Sequence, residues 1–392
     1  MRRFAKREQH SNSTADCQLL EMTLLGSGAR PVQGESVRRQ TAERGSGFGF
    51  RISFGFRASA FGLGRVNVRR TMSGCEHPVA KRGRLFTARD YITGDAFEVC
   101  HCAGCGFVVT LPVPAEREIE KYYPAGYYGN ASGRRFPAIV QWLQGVLYRR
   151  RARAVERELC RKPGRVLDVG CGRGLLLRAF RERGWKVEGT ELSEAAATFP
   201  REVLNIPVKI TPAASLPWPD RTFDAVSMWH VLEHVADSGA ALREAARVLQ
   251  PGGVLFAGAP NFGSLEAGWT RDKWFHLDVP RHLTHFTLES LNSALASAGF
   301  EIHRVSFFAL EYDCFSFVQS ALNRFGLRHN LLYNLLRGRG AKVLREREAS
   351  VGQIVLTLLL ALPLSAMSLP ATLLAGACAR GATMTVVAVK QR

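Results

Sequence analysis

Asp168, Gly170, Gly172, Gly174 and Glu191 are the residues of this chain whose types and spacing carry the most specific chemistry. The run Arg165 to Val169 reads as a short buried strand, the three alternate glycines as a tight turn, and Leu175 onward as the start of a helix. A strand, a glycine turn and a helix in that order bring backbone close to a ligand and aim helix N–H groups at it. A nicotinamide dinucleotide fingerprint sets its third glycine five positions after the first. Here Gly174 follows Gly170 by four. Glu191, twenty-three residues beyond Asp168, ends a second strand that starts at Lys186 and is placed to accept from two ribose hydroxyls. So compact a turn, with no helper for a pyrophosphate, describes a site for a nucleoside that carries a cation.

Two further groups of residues could do chemistry. His230-Val-Leu-Glu233-His234 starts where a later strand ends, at the sheet edge where such folds bind ligands. At helical spacing His230 shares a face with Glu233 or His234, and the expected base is His234, oriented by Glu233. The alternative is that Glu-His ties the loop to neighbouring backbone. A loop from Trp274 to Phe286 gathers His276, Asp278, Arg281, His282 and His285 among aromatic rings, which suggests a pocket. His282 and His285 are candidates there for substrate or base work, or for caps. Nearer the start, Cys102-Ala-Gly-Cys105-Gly106 has the form of half a structural zinc site. Cys75 and His77 are the expected partners of Cys102 and Cys105, with Cys100 as another source of the fourth ligand. Four surplus thiols are the alternative.

Asp168-Val-Gly170-Cys-Gly172-Arg-Gly174, Glu191, Phe223-Asp-Ala-Val226 and Leu249-Gln-Pro251-Gly252-Gly253 together resemble, in order and spacing, class I S-adenosylmethionine-dependent methyltransferases. The resemblance spans roughly residues 165–308. It implies S-adenosylmethionine as cofactor, with Asp168, Gly170 and Gly172 on its methionine part, Gly174 opening the helix and Glu191 on the ribose. Met228 and Trp229 stand where the family's apolar residues flank the cofactor. The family often has an acidic residue before the Leu-Pro of the next loop, for the adenine amino group. Ala213-Ala214-Ser215 precede Leu216-Pro217 here, so that contact is missing. A Glu-x-x-Glu-His similar to the 230–234 segment serves a divalent metal in ubiquinone-biosynthesis O-methyltransferases. His230 replaces the first Glu, which leaves Mg²⁺ open. The Cys-containing segment, Tyr122 to Tyr128 and the core together resemble bacterial methyltransferases found among glycan-assembly enzymes.

These residues need elements to hold them. Strands are expected at 165–169, 186–191, 206–210, 223–228, 253–258 and 300–308, with a seventh at 383–390, alternating with helices. The expected fold is thus α/β, a doubly wound seven-stranded Rossmann-like methyltransferase sheet. The organisation drawn from it is a disordered basic tail at 1–72, a zinc-ribbon-like Cys-rich module at 73–130 and the core at 131–310. A membrane-associated insertion at 311–380 and a closing strand at 381–392 complete it. Net charge is +19, but the tail alone holds thirteen Lys or Arg against five Asp or Glu. Charge is therefore poor support for a basic zinc-knuckle nucleic-acid-binding protein, the other function class weighed. Met72 is the expected start of the folded protein, with a transit peptide the alternative for the tail.

No charged residue lies between Glu348 and Arg380. A stretch this long can reach across a hydrocarbon core of ~30 Å. Pro363 and Pro370 divide it, so two short apolar helices around a bend are expected, a hairpin touching the membrane through 351–379. A single crossing would strand the seventh strand on the far side. Upstream arginines from Arg324 to Arg347 place the protein on the cytoplasmic face of the inner membrane. The expected acceptor is a glycan or lipid-linked sugar, with a quinone or other lipid hydroxyl as the alternative.

Overall fold

The computed structural model describes residues 82–123, 138–159, 163–337, Val343, Arg345 and 349–392. The tail, Cys75, His77 and the Tyr-rich run beyond Tyr123 lie outside the described residues. Three antiparallel strands come first: β1 (Arg82–Arg89), β2 (Ala96–Cys102) and β3 (Val108–Leu111). Helix α1 (Ala138–Leu159) then leads into β4 (Arg165–Val169), α2 (Leu175–Arg181), β5 (Lys186–Glu191), α3 (Glu194–Glu202) and β6 (Val208–Ile210). After these come β7 (Phe223–Trp229), α4 (Ser238–Val248), β8 (Leu249–Pro260), α5 (Leu265–Thr270), β9 (Thr284–His285), α6 (Leu288–Ser297) and β10 (Phe300–Ser306). The chain ends with α7 (Leu310–Arg324), α8 (Leu331–Leu336), α9 (Val351–Ala377) and β11 (Thr383–Lys390).

Seven strands form one sheet in the order β10-β11-β8-β7-β4-β5-β6, with β11 antiparallel to both neighbours and the inner strands parallel. Parallel strands covered on both faces need apolar side chains on both sides. In β4, Leu167 and Val169 join Val226, Met228 and Leu255 against α4 and α6, while Val166 joins Ala225, Val254 and Phe256 against α1 and α2. Asp168, alone among the buried residues of β4, is charged. A core strand that keeps a carboxyl against this packing marks the site.

The first three strands are not a free-standing module. β9, from the loop after β8, adds to β3 as a fourth strand, pairing His285 with Val108 and Thr284 with Val109. Arg281 fixes the joint. Its guanidinium, fully buried, donates to Asp90 and Asp278, each at 2.7 Å, and to the Tyr122 carbonyl at 2.9 Å. Removing one partner of a buried ion pair leaves an uncompensated charge, which costs about 3–5 kcal/mol. Asp278 still faces Arg281 in the variant, so Asp90→Ala is expected to lower the free energy of unfolding by about 3 kcal/mol, the low end of that range, whereas Arg84→Ala, at an exposed pair with Glu98, changes it by under ~1 kcal/mol. Urea denaturation of both variants checks this.

The apolar stretch departs from expectation. It forms one helix of 27 residues, about 40 Å long, and not two short ones around a bend. A proline inside a helix removes one bond to the carbonyl four residues back, Leu359 for Pro363 and Ala366 for Pro370. The polar residues between and after the prolines open no turn: Ser368 and Thr372 bond back to the helix carbonyls of Ser365 and Ser368 at 2.8 and 2.7 Å. The out-and-back path is made by α7 and α9 together: Leu360, Ala361 and Leu364 pack against Phe315, Phe317, Val318 and Leu322. Cys314 and Thr372 meet at 3.6 Å across the same interface. That pairing returns the chain to β11 beside β10, as a single crossing could not.

Candidate active site

At the carboxyl end of β4 the three glycines all take the left-handed backbone, with φ of +66° at Gly170, +52° at Gly172 and +64° at Gly174. Only glycine adopts such angles freely. At Gly170 a Cβ would sit 2.7 Å from Val231 Cγ2, so the turn must also be bare there to pass the next loop. At Gly172 a Cβ would meet nothing within 4 Å, so its bare side faces open space. Glu191, at the end of β5, accepts from the Gly172 and Leu192 N–H groups and so closes the turn against its strand. Asp168 accepts from Ser227 Oγ on β7.

Burial pushes the Asp168 carboxyl up to about 7, with Glu191 adding repulsion and the Ser227 hydrogen bond opposing both. Burial also raises Glu191. Two carboxyls held near each other in low dielectric resist losing both protons. A cation placed between them reverses that, which is the electrostatic signature of a site for a positively charged ligand. Bare backbone at Gly172, a carboxylate beside it and a second buried carboxyl fit the amino and sulfonium groups of S-adenosylmethionine and its ribose.

Trp229 and Met228, both expected at the cofactor, point to opposite faces of the sheet. Met228 is fully buried in the cluster under α4 and turned away from the site. Trp229 stacks on Phe256 with ring centroids 5.5 Å apart and carries the Arg151 guanidinium 3.9 Å above its ring. Its indole N–H donates to Tyr312 Oη at 3.2 Å. Gly258 makes room, since a Cβ there would come within 2.5 Å of the indole. Arg151, from α1, also pairs with Glu311 of α7.

The 230–234 segment corrects the sequence reading. Glu233 pairs with His230, whose Nδ1 lies 2.9 Å from Glu233 Oε1, and not with His234. His234 Nδ1 instead meets the Arg281 carbonyl at 2.9 Å. The segment is not an α-helix: a short 3-10 turn over Leu232–His234 follows His230, whose left-handed backbone sets its ring relative to Glu233. Burial alone would raise the Glu233 carboxyl, but the His230 hydrogen bond and the imidazoles of His230, His234 and His282 outweigh it and hold the group at about 2. His230 itself sits at φ +53°, and its Nε2 is buried with no hydrogen-bond partner. The Tyr312 ring lies 4.4 Å from its own, centroid to centroid.

His282 is brought to the same place: its ring meets that of His234 edge to face at 4.6 Å, and its Nδ1 lies 2.8 Å from the His276 carbonyl. Burial lowers His282 to about 4, so the ring is neutral at physiological pH. His285 is not at the site. It bonds Thr110 Oγ1 at 2.9 Å and helps hold the N-terminal sheet. Cys102 and Cys105 flank the Gly106 turn, in which Gly106 N–H donates to the Cys102 carbonyl at 2.7 Å. Sequence reasoning missed Arg151 and Tyr312. Arg151 is one of several arginines on a basic helix, and Tyr312 opens a helix with no motif around it.

Sheet order, glycine turn and strand-end acid define a Rossmann-like methyltransferase. A family model described as a methyltransferase domain matches residues 140–305. A "probable S-adenosylmethionine-dependent methyltransferase" of Mycolicibacterium smegmatis is 32% identical over 161 residues, 40% of this chain and 59% of that protein. Ubiquinone biosynthesis O-methyltransferases of Alkalilimnicola ehrlichii and Coxiella burnetii are 39% and 32% identical over 100 and 111 residues, 24% and 27% of this chain and 40% and 47% of theirs. The chain thus spans about half the length of the curated relatives it matches. Among solved structures, an S-adenosylmethionine-dependent methyltransferase from Mesorhizobium loti is 19% identical with TM-score 0.38, covering 63% of this chain and 100% of that one. One from Archaeoglobus fulgidus is 19% identical with TM-score 0.39, covering 63% and 94%. The chain carries a class I S-adenosylmethionine-dependent methyltransferase domain.

Proposed function

We propose that the protein transfers a methyl group to a hydroxyl of a lipid-anchored acceptor at a membrane surface, a lipid-linked sugar being the first reading. The observation that carries this is the double role of α7. Its first turn sets Tyr312 against His230, and its length packs the apolar helix α9. The outer face of α9 leaves Leu359, Leu362 and Leu374 at 61, 73 and 67% exposure, far more apolar surface than a water-facing helix carries. Trp269 of α5 and Phe325 at the end of α7, an exposed aromatic pair, suit the headgroup level. Helix α9 then lies on the bilayer, since α7 beside it carries too many polar groups to enter. A second reading, a quinone-type phenol, is favoured by the clustered rings of Trp229, His230 and Tyr312 and by what the ubiquinone-biosynthesis relatives are named for.

S-adenosylmethionine supplies a methyl group already activated by its sulfonium charge. Asp168 and Glu191 bind and orient, and alignment of this kind is worth several kcal/mol. His230 takes the acceptor's hydroxyl proton at Nε2, with Nδ1–H held by the Glu233 carboxylate, which stabilises the imidazolium that forms. Trp229 and Tyr312 wall the proton transfer from water.

Incubating the protein with methyl-labelled S-adenosylmethionine and a membrane lipid extract tests the reading. Label in the lipid phase on a sugar or phenol oxygen supports it, and label confined to water-soluble acceptors sinks it. Leu359→Glu with Leu362→Glu is expected to cut flotation with lipid vesicles at least tenfold, because charge on an inserted face costs about 2–3 kcal/mol per residue at depth. An unchanged flotation would remove α9 from the membrane.

A further inference from the structure

We propose that Glu233, His234 and His282 form a binding site for one transition-metal dication, and that the site is not built for Mg²⁺. A carboxylate oxygen of Glu233 and one ring nitrogen each of His234 and His282 lie within 4.8 Å of one another. The hydrogen bonds show which atoms are left to ligate. Glu233 Oε1 is taken by His230, while Oε2 is buried with no partner. Nδ1 of His234 is taken by the Arg281 carbonyl and Nδ1 of His282 by the His276 carbonyl, at 2.9 and 2.8 Å. An imidazole whose Nδ1–H donates to a backbone carbonyl is locked in the tautomer that presents Nε2 as a lone pair. Each of the three side chains is thus held at one end and keeps a lone pair to offer a cation.

The backbone holds these donors together as well. Leu283 N–H donates to the Glu233 carbonyl at 2.7 Å, which ties the turn carrying Glu233 and His234 to the strand entry carrying His282. Glu233 is 1% exposed, and the His230 imidazole is the hydrogen-bond partner of its Oε1 alone. A buried carboxylate oxygen with no partner is costly, and a cation at Oε2 removes that cost.

Donor chemistry chooses the ion. Mg²⁺ takes hard oxygen ligands in an octahedron and keeps several waters. Two imidazoles and one carboxylate are the set that holds Zn²⁺ or Fe²⁺ with positions left open. The sequence pattern that suggests Mg²⁺ stops at His234 and places a carboxylate where His230 stands; in the fold the third donor is His282, forty-eight residues further on. An open position beside His230 would take an acceptor oxygen and make its proton easier to remove. That last role rests on the proposed methyl transfer, whereas metal binding does not.

The test uses the full chain, stripped with a chelator and titrated with Co²⁺ as a spectroscopic probe. Ligation by two imidazoles and a carboxylate gives visible d–d bands without the near-ultraviolet thiolate bands that any Co²⁺ at Cys102 and Cys105 would add. One equivalent with thiolate-free bands is expected. His282→Gln should weaken its affinity about a hundredfold while Cys102→Ser leaves it in place. His234→Gln, at a partly exposed ring, is the second variant, and S-adenosylmethionine binding by each variant verifies that it is folded. Thiolate-free bands that are absent, or that persist in both histidine variants, overturn the proposal. Displacement of Co²⁺ by an equal concentration of Mg²⁺ overturns the choice of ion. Metal bound with no lipid methylation would leave this site standing and remove the function proposed above.

Discussion

Asp168→Asn is expected to weaken S-adenosylmethionine binding at least a hundredfold at pH 8 and, in the same protein, to raise the melting temperature of the ligand-free form. Both effects come from one carboxyl. Burial holds Asp168 at about 7 in the folded, ligand-free chain, against an ordinary value of 3.8. The unfolded chain releases that proton near its ordinary value, and the folded chain not until about 7. Stability from this group is therefore full below pH ~4, declines as pH rises, and is gone above the folded value, where a buried charge costs a few kcal/mol. Asparagine has no charge to bury. For the cofactor the sign reverses. A cationic ligand favours the ionised carboxyl, so below about pH 7 binding must expel a proton and affinity falls by about tenfold per pH unit. Calorimetry from pH 5.5 to 8.5 reads this directly. A wild-type affinity that stays level across that range, or one that Asp168→Asn leaves unchanged, refutes the assignment of Asp168.

Removing the His230 imidazole should do the opposite: leave cofactor affinity within threefold and lower the rate of methyl transfer by about 10²–10⁴, the range for loss of a positioned base. His230→Gly is the cleanest truncation, since position 230 sits at φ +53° and glycine takes that backbone without strain. Added imidazole is expected to restore part of the rate to the glycine variant. A merely structural His230 would give a variant that added imidazole does not rescue. His234→Ala discriminates further, because its Nδ1 is held by the Arg281 carbonyl and it has no carboxylate partner. If His234→Ala loses the rate and responds to imidazole while His230→Gly does neither, the base is the residue that the linear sequence favours. Asp168 variants change affinity and His230 variants change rate, so the two assignments fail separately.

The backbone of the turn proposed to hold the cofactor was legible in the residues. Asp168, the three glycines and Glu191 are close in sequence because one strand, one turn and the next strand build the cradle, and local backbone chemistry dictates each of them. The alternation of strands, and the closing strand beyond a long apolar run, were legible for the same reason: periodicity and length are local properties. The geometry around His230, on which the proposed acceptor chemistry rests, was decided by tertiary structure. Whether Glu233 orients His230 or His234 depends on a 3-10 turn, which residue spacing alone does not distinguish from an α-helix. Arg151 and Tyr312 meet at Trp229 from helices 161 residues apart in the chain, α1 and α7, and no spacing rule links them. His282 reaches His234 because β9 must complete the N-terminal sheet, which fixes the loop before it. Pro363 and Pro370 read as a bend, yet α7 packs against Leu360, Ala361 and Leu364 on either side of Pro363 and meets Thr372 beyond Pro370, and a single helix forms. Chemistry built on contiguous backbone is written in the sequence, and chemistry built where distant elements converge becomes visible only once packing has set which faces meet.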